Sequence, residues 1–194
     1  MDTEKETDGW EKYNQLKKDD WSVNKKYWDS YGGISEKLAF EIPSERLLEV
    51  VSNFADWIGG DSFDEELHQK LMALPEEIRN AHLVYSYECE MNGEGFDGFY
   101  FNFLGYEVFE IEKALDFFGL KKNKRILHDS LKLLGKKIDL KDYQKLSASR
   151  ELPEEELEDE FSNLDSRFYK YPEDIKETVS SHLEKNRDKL VTLS

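Results

Sequence analysis

An all-α, compact multi-helix single-domain fold is what this sequence predicts, on three observations. Segment after segment repeats apolar residues at i, i+3, i+4 and i+7, the spacing of one helical face. No segment sustains period-two alternation, and β-branched residues are sparse. Ser, Pro and Gly fall at the ends of the periodic segments, where helices start and stop. At 194 residues the chain is long enough to bury one real core.

Residues 1–35 read as an N-terminal aromatic and charged arm, partly helical, whose Trp10, Tyr13, Trp21, Tyr27 and Trp28 dock on the body. The all-helical domain is expected over 36–194. Ser44 can cap a helix with Leu47, Leu48, Val51, Phe54, Ala55 and Ile58 on its apolar face, ended by Gly59 and Gly60. Ser62 and Glu65 have the spacing of a capping box and open a short helix through Phe63, Leu67 and Leu71. Pro75, Glu76 and Glu77 suit a first turn, where Pro fits and negative charge meets the positive end of the helix dipole. That helix carries Ile78, Ala81, Val84, Tyr85 and Met91 inward, and Asn92-Gly93 reads as its end. Phe96, Phe99, Tyr100 and Phe103 then share one face of an aromatic helix stopped at Gly105.

Val108, Ile111, Ala114, Leu115 and Phe118 give the next helix, closed by Gly119. A basic amphipathic helix follows, with Ile126, Leu127, Leu131 and Leu134 inward and Gly135 at its end. Residues 138–153 are a connector with a single helical turn, 151–169 a strongly acidic helix, and Pro172, Glu173 and Asp174 start a last helix through Ile175, Val179, Leu183 and Leu190.

Little in the chain points to catalysis. His68, His82, His128 and His182 lie on different expected helices without ligand spacing, and neither HExxH nor CxxC occurs. No cofactor or metal is expected. Four of the eleven glycines lie in the stretch 88–105, but a phosphate loop needs a preceding strand and usually a Lys, so the glycines read as helix punctuation. Residues 59–66, GGDSFDEE, lack the oxygen spacing of a calcium loop. Cys89, the only cysteine, excludes an intramolecular disulfide and reads as a buried small hydrophobe in a reducing compartment. A polar N-terminus and the lack of an 18-residue apolar run point to the cytoplasm and away from a membrane.

Charge is the informative property. The net charge is −16, distributed in blocks: 18 acids against 4 bases over 36–112, 4 against 11 over 113–150, and 10 against 2 over 151–174. Direct binding to nucleic acid is disfavoured, since it depends on cationic contacts, and a basic protein is the expected partner. Glu154, Glu155, Glu158 and Asp159 pair at i, i+4 as like charges, a solvated face or a row of negative points such as a phosphate backbone presents; Glu107 with Glu110, and Glu45 with Glu49, would extend the row.

GFDGFYFNFLG, residues 95–105, resembles the signature of a bacterial family of domains of unknown function that includes an acidic DNA-mimic protein, roughly N-G-G-F-x-Q-Y-F-x-N-x-x-G. Gly95, Phe96, Phe99, Tyr100, Asn102 and Gly105 match positions in it. Gly98 stands at the Gln, and the glycine entry is one residue longer. ALDFFGL, ILHDSLKLL and LDSRFYKYPEDI are similar to the family's later helices. The resemblance covers about 40–190 and implies an all-helical fold that pairs as a homodimer. With the charge, it implies a non-enzymatic binding protein that uses Glu107, Glu110, Glu154, Glu155, Glu158 and Asp159 as a DNA mimic toward a basic DNA-binding regulator. One alternative is an immunity or antitoxin-like protein that neutralises a toxin through the same acids. Another is an enzyme of unknown class, which would need polar groups converging on a pocket near Glu88, Glu90 and Asn102.

Overall fold

A computed structural model describes residues 9–16, 21–60 and 65–193, with nothing stated for the side chains of 15–16, 21–24, 103–104 and 154–155. Helices account for all regular structure among these residues, and no strand occurs. In order they are α1 (Trp10–Leu16), α2 (Trp21–Tyr31), α3 (Glu36–Glu41), α4 (Ser44–Gly59), α5 (Glu65–Met72), α6 (Glu76–Phe101), α7 (Val108–Phe117), α8 (Lys121–Leu134), α9 (Tyr143–Ala148), α10 (Glu158–Phe168) and α11 (Ile175–Lys185). Short 3-10 turns cover Phe103–Glu107, Glu154–Leu157 and Arg187–Leu190.

Three of the five aromatics expected in the arm belong to the core, Trp10 is partly buried against it, and the Trp21 side chain lies outside the described residues. Tyr13, Tyr27 and Trp28 are fully buried, with Trp28 edge-on to Phe54 of α4 at 5.1 Å between ring centroids. The other end of the chain is tied to the same region. Thr192 Oγ1 accepts from the Ile34 N–H at 2.8 Å, and the Thr192 N–H donates back to the Ile34 carbonyl at 2.8 Å. Arg187, almost fully buried, donates to the Ala39 and Ile42 carbonyls and to Glu184, so its charge is satisfied at the end of α3.

α6 is the axis on which α4, α7, α10 and α11 pack. It does not stop at Asn92-Gly93, as local propensity predicts. It runs on to Glu94, breaks at Gly95 (φ 66°, ψ −161°) and resumes as a short limb to Phe101. The break is held from outside the helix. Asp165 of α10 accepts a hydrogen bond from the Phe96 N–H at 3.0 Å, and a Cβ built at Gly95 would stand 2.7 Å from the Asp165 carboxylate. Both the left-handed φ and the close approach require glycine there. Tyr169 clasps the same place by donating to the Met91 carbonyl at 2.8 Å, and Tyr171 donates to Asn92 Oδ1 at 2.8 Å.

Past the break, Phe96, Phe99 and Tyr100 are buried against Phe161 of α10 and Tyr87 of the first limb. Each is worth about 1.5–3 kcal/mol in transfer from water. The buried Tyr100 hydroxyl is within 2.7 Å of Ser130 Oγ on α8, and Tyr143 of α9 donates to the Gly105 carbonyl at 2.5 Å. Gly105 lets the chain cross closely, since a Cβ would come 2.8 Å from the Phe99 carbonyl oxygen.

Several expectations need correction. Phe103 falls in the 3-10 turn after Phe101, so it is not on the aromatic helix, because Asn102 is already extended (φ −80°, ψ 162°). Cys89 is exposed, turned away from the Tyr87 and Met91 side of α6 that faces the core. Leu190 lies in a separate 3-10 turn beyond the end of α11 at Lys185. The short helix α3, with Ser35 capping the Leu38 N–H, has too little apolar period to stand out in sequence. Ser62 and Phe63 lie outside the described residues.

Gly95→Ala is expected to lower unfolding stability by about 1–3 kcal/mol, the scale of one strained backbone position. Asp165→Ala should also destabilise, by removing the carboxylate that accepts from the Phe96 N–H. Urea unfolding followed by helical circular dichroism measures both.

Candidate functional site

The acids singled out in the sequence do not share one surface. Glu107 closes the 3-10 turn below α5 and is 2% exposed. Its carboxylate meets His68 Nδ1 at 2.9 Å, and burial pushes its pKa up while the His68 hydrogen bond pulls it back. Glu107 is an internal strut and presents nothing to a partner. Glu110 lies in the first turn of α7, mostly covered and bridged to Lys113 at 2.7 Å. Glu112 meets His128 Nδ1 at 2.9 Å, and Glu49 is bonded to Arg46 at 2.8 Å. Of the expected extensions of the row, Glu107, Glu110 and Glu49 are therefore engaged internally, while Glu45 is exposed on the first turn of α4. The Glu154 and Glu155 side chains lie outside the described residues.

Also open is the first turn of α10, with Glu158, Asp159 and Glu160 all exposed. Three carboxylates there complement the positive end of the helix, which explains why so acidic a turn is helical at all. Glu156, just before it, is drawn to Lys137 at 2.9 Å. α10 lies on α6 through Phe161 against Phe96 and Tyr100, and through Asp165 at the Phe96 N–H. The exposed acids of the α6 break, Glu94 and Asp97, thus sit on an element in direct contact with α10. Asp97 is close enough to help raise the Asp165 pKa, whose main cause is burial. None of Glu94, Asp97, Glu158, Asp159 and Glu160 forms an ion pair among the described residues, although the chain has 27 Lys and Arg.

Asn102 caps the end of α6, near where an enzyme would need its pocket. Its amide nitrogen donates to Glu90 at 2.7 Å and to Glu94 at 3.4 Å, and its backbone N–H closes the second limb on the Gly98 carbonyl at 2.8 Å. Gly98 makes this possible: a Cβ there would run into the Glu94 side chain, which folds back over it toward Asn102. Asn102 therefore ties the two limbs together across the break. Glu88 is 7% exposed and its pKa is raised by burial, with Lys176 partly offsetting; its Oε2 has no hydrogen-bond partner. The long-range packing of α10 on α6 is what puts Glu94 and Asp97 on an element next to the acidic turn of α10.

The histidines are structural. His82 is buried between Ser52 Oγ at 3.1 Å and Asp56 at 3.7 Å, and burial holds its pKa down. His182 lies against the Phe117 and Phe118 rings. Among the described residues no group of three or more His, Cys, Asp or Glu is placed to hold a metal ion, and no helix is long and apolar enough to cross a membrane.

The family whose model matches residues 72–186, more than half of the chain, is described as DMP19-like protein. No curated protein and no solved structure matches.

Glu107→Gln provides a pH test of the buried strut. A carboxyl whose folded pKa is raised stabilises the fold in its protonated form, an advantage fully present below the ordinary carboxylate pKa and lost as pH rises through the folded value. The Gln variant mimics that form, so it should be more stable than the parent at pH 7, and the difference should vanish below about pH 4. Unfolding curves at both pH values check it.

Proposed function

The chain belongs to the DMP19-like protein family, and from that membership together with its surface charge we propose that it is a non-enzymatic cytoplasmic binding protein. It engages the basic surface of a DNA-binding protein, in the manner of a DNA mimic. The observation that carries this reading is the set of exposed carboxylates left without cations on two contacting helices, Glu94 and Asp97 on α6 and Glu158, Asp159 and Glu160 on α10. Like charges placed side by side repel, and residues a helical turn apart lie about 5–6 Å from one another. A cationic partner relieves that repulsion, and release of its counterions adds to affinity, as for a protein that docks on phosphates.

Two further features agree with this reading. A net charge of −16 speeds encounter with any basic surface and repels nucleic acid itself. Glu107, Glu110, Glu112 and Glu156 are engaged by His68, Lys113, His128 and Lys137, which sets them apart from the unbridged acids of α6 and α10. A basic toxin would meet the same surface, and the identity of the captured protein separates that alternative from a transcription regulator.

Capture of partners from lysate of the source cells at low and high salt tests the proposal. A basic DNA-binding protein should be retained at about 50 mM salt and released at about 500 mM, since screening shortens electrostatic reach to a few ångströms. The Glu158→Gln, Asp159→Asn, Glu160→Gln triple variant should lose most of that capture while keeping its helical signal. Retention indifferent to salt and to the triple substitution would overturn it.

A further inference from the structure

The basic block of the chain folds into a face of opposite character. The first three turns of α8 carry Lys121, Lys122, Lys124, Arg125 and His128, and α10 ends in Arg167 followed by Lys170. Between them lies a concave cleft of about 450 Å³, with Lys122, Arg125, Arg167 and Lys170 around Ile126. A second hollow of about 370 Å³ adjoins it and shares Arg125. We propose that this cleft binds a small phosphate-bearing anion.

Two of the cations here, Arg125 and Lys170, are not used up by the fold. Asp129, the one acid lining the larger cleft, is committed to Arg167 at 2.9 Å and to Lys132 at 3.7 Å. Glu173 turns its carboxylate onto the start of α8, accepting from the Lys122 and Asn123 N–H groups at 3.0 Å each and from Asn123 Nδ2 at 3.1 Å. It caps the helix, while Lys122 Nζ donates to the Pro172 carbonyl at 3.2 Å and Lys124 bridges Asp116 at 3.1 Å. Arg125 and Lys170 form no ion pair or hydrogen bond among the described residues, in a chain with 43 acids to choose from. Keeping like charges together without acidic partners is unfavourable unless an anion supplies the counter-charge.

Shape and long-range charge favour a compact occupant. A volume of several hundred Å³ suits a small molecule, and a guanidinium fork beside ammonium groups matches the oxygens of a phosphate or diphosphate. An extended polyanion would also meet the acidic remainder of a −16 chain and be repelled. A small anion samples mainly the local field, since screening limits electrostatic reach to about 8 Å at physiological salt. Ile126 and Pro172 add an apolar surface against which a ligand's organic part can rest.

Isothermal titration of the full chain with inorganic pyrophosphate and, separately, with magnesium-free ATP tests the site. Pyrophosphate should bind one per chain, and the Arg125→Ala, Lys170→Ala double variant should weaken it by at least about tenfold, each substitution removing a charge-assisted contact. Lys132→Ala, outside the lining of both hollows, should leave it within about twofold. Tighter binding of ATP than of pyrophosphate assigns the site to a nucleotide, and equal binding assigns it to the phosphate group alone. Absence of binding by both probes, equal weakening by Lys132→Ala, or binding only of a poly-glutamate peptide would overturn the proposal. Both residues of the double variant are exposed, so an unchanged unfolding midpoint confirms an intact fold.

Discussion

One hydrogen bond between residues 69 positions apart organises this molecule: the Phe96 N–H to the Asp165 carboxylate. It gives the donor at the break in α6 an acceptor from another helix, and it docks α10 against the glycine that makes the break possible. The second limb then turns Phe96, Phe99 and Tyr100 inward onto Phe161, so the aromatic core and the position of α10 are set by one contact. Partial burial of Asp165 is the cost, visible as a raised pKa that the Phe96 N–H only partly offsets. The acidic turn at the start of α10 stands where it does because the middle of the same helix is fixed at Gly95.

The residues that resemble a family signature acquire physical roles around this break. Gly95 admits the Asp165 carboxylate, Phe96 supplies the N–H, and Phe99 and Tyr100 fill the space behind it. Asn102 closes the limb and bridges back to Glu90, while Gly105 lets the chain pass beneath the Phe99 carbonyl. Leu164 to Tyr169, the other element of the resemblance, is the segment that delivers Asp165 and Tyr169 to the break. Two stretches that look unrelated in sequence are halves of one joint.

The all-helical class and the spans of α4, α7 and α8 are legible because each has an apolar period and a glycine-marked end, whereas the Ser44 hydroxyl, read as the cap of α4, donates to Glu184 instead, and the acidic helix read from 151 starts only at Glu158, after a separate 3-10 turn. The site of the break is not legible. Gly93 and Gly95 are equally good breakers by propensity, and the choice falls to Asp165, a long-range contact that no local pattern encodes. The same limit explains the acids. Glu107 and Glu158 look alike in sequence, yet one points at His68 under α5 and the other into solvent. Cys89 was misread for a related reason: it sits among apolar neighbours in sequence, but it lies on the opposite side of α6 from Tyr87 and Met91.

Amide hydrogen exchange at Phe96 is the most direct test of this joint. If Asp165 holds the break closed, the Phe96 N–H exchanges only through large-scale unfolding, with protection close to that of the buried Leu83 and Val84 amides in the first limb. In Asp165→Ala that protection should fall by orders of magnitude at Phe96, while exchange at Leu83 and Val84 should speed up only by as much as global stability falls. Fast exchange of Phe96 in the parent protein, at the rate of an open loop, would contradict the central role given to the Asp165 contact.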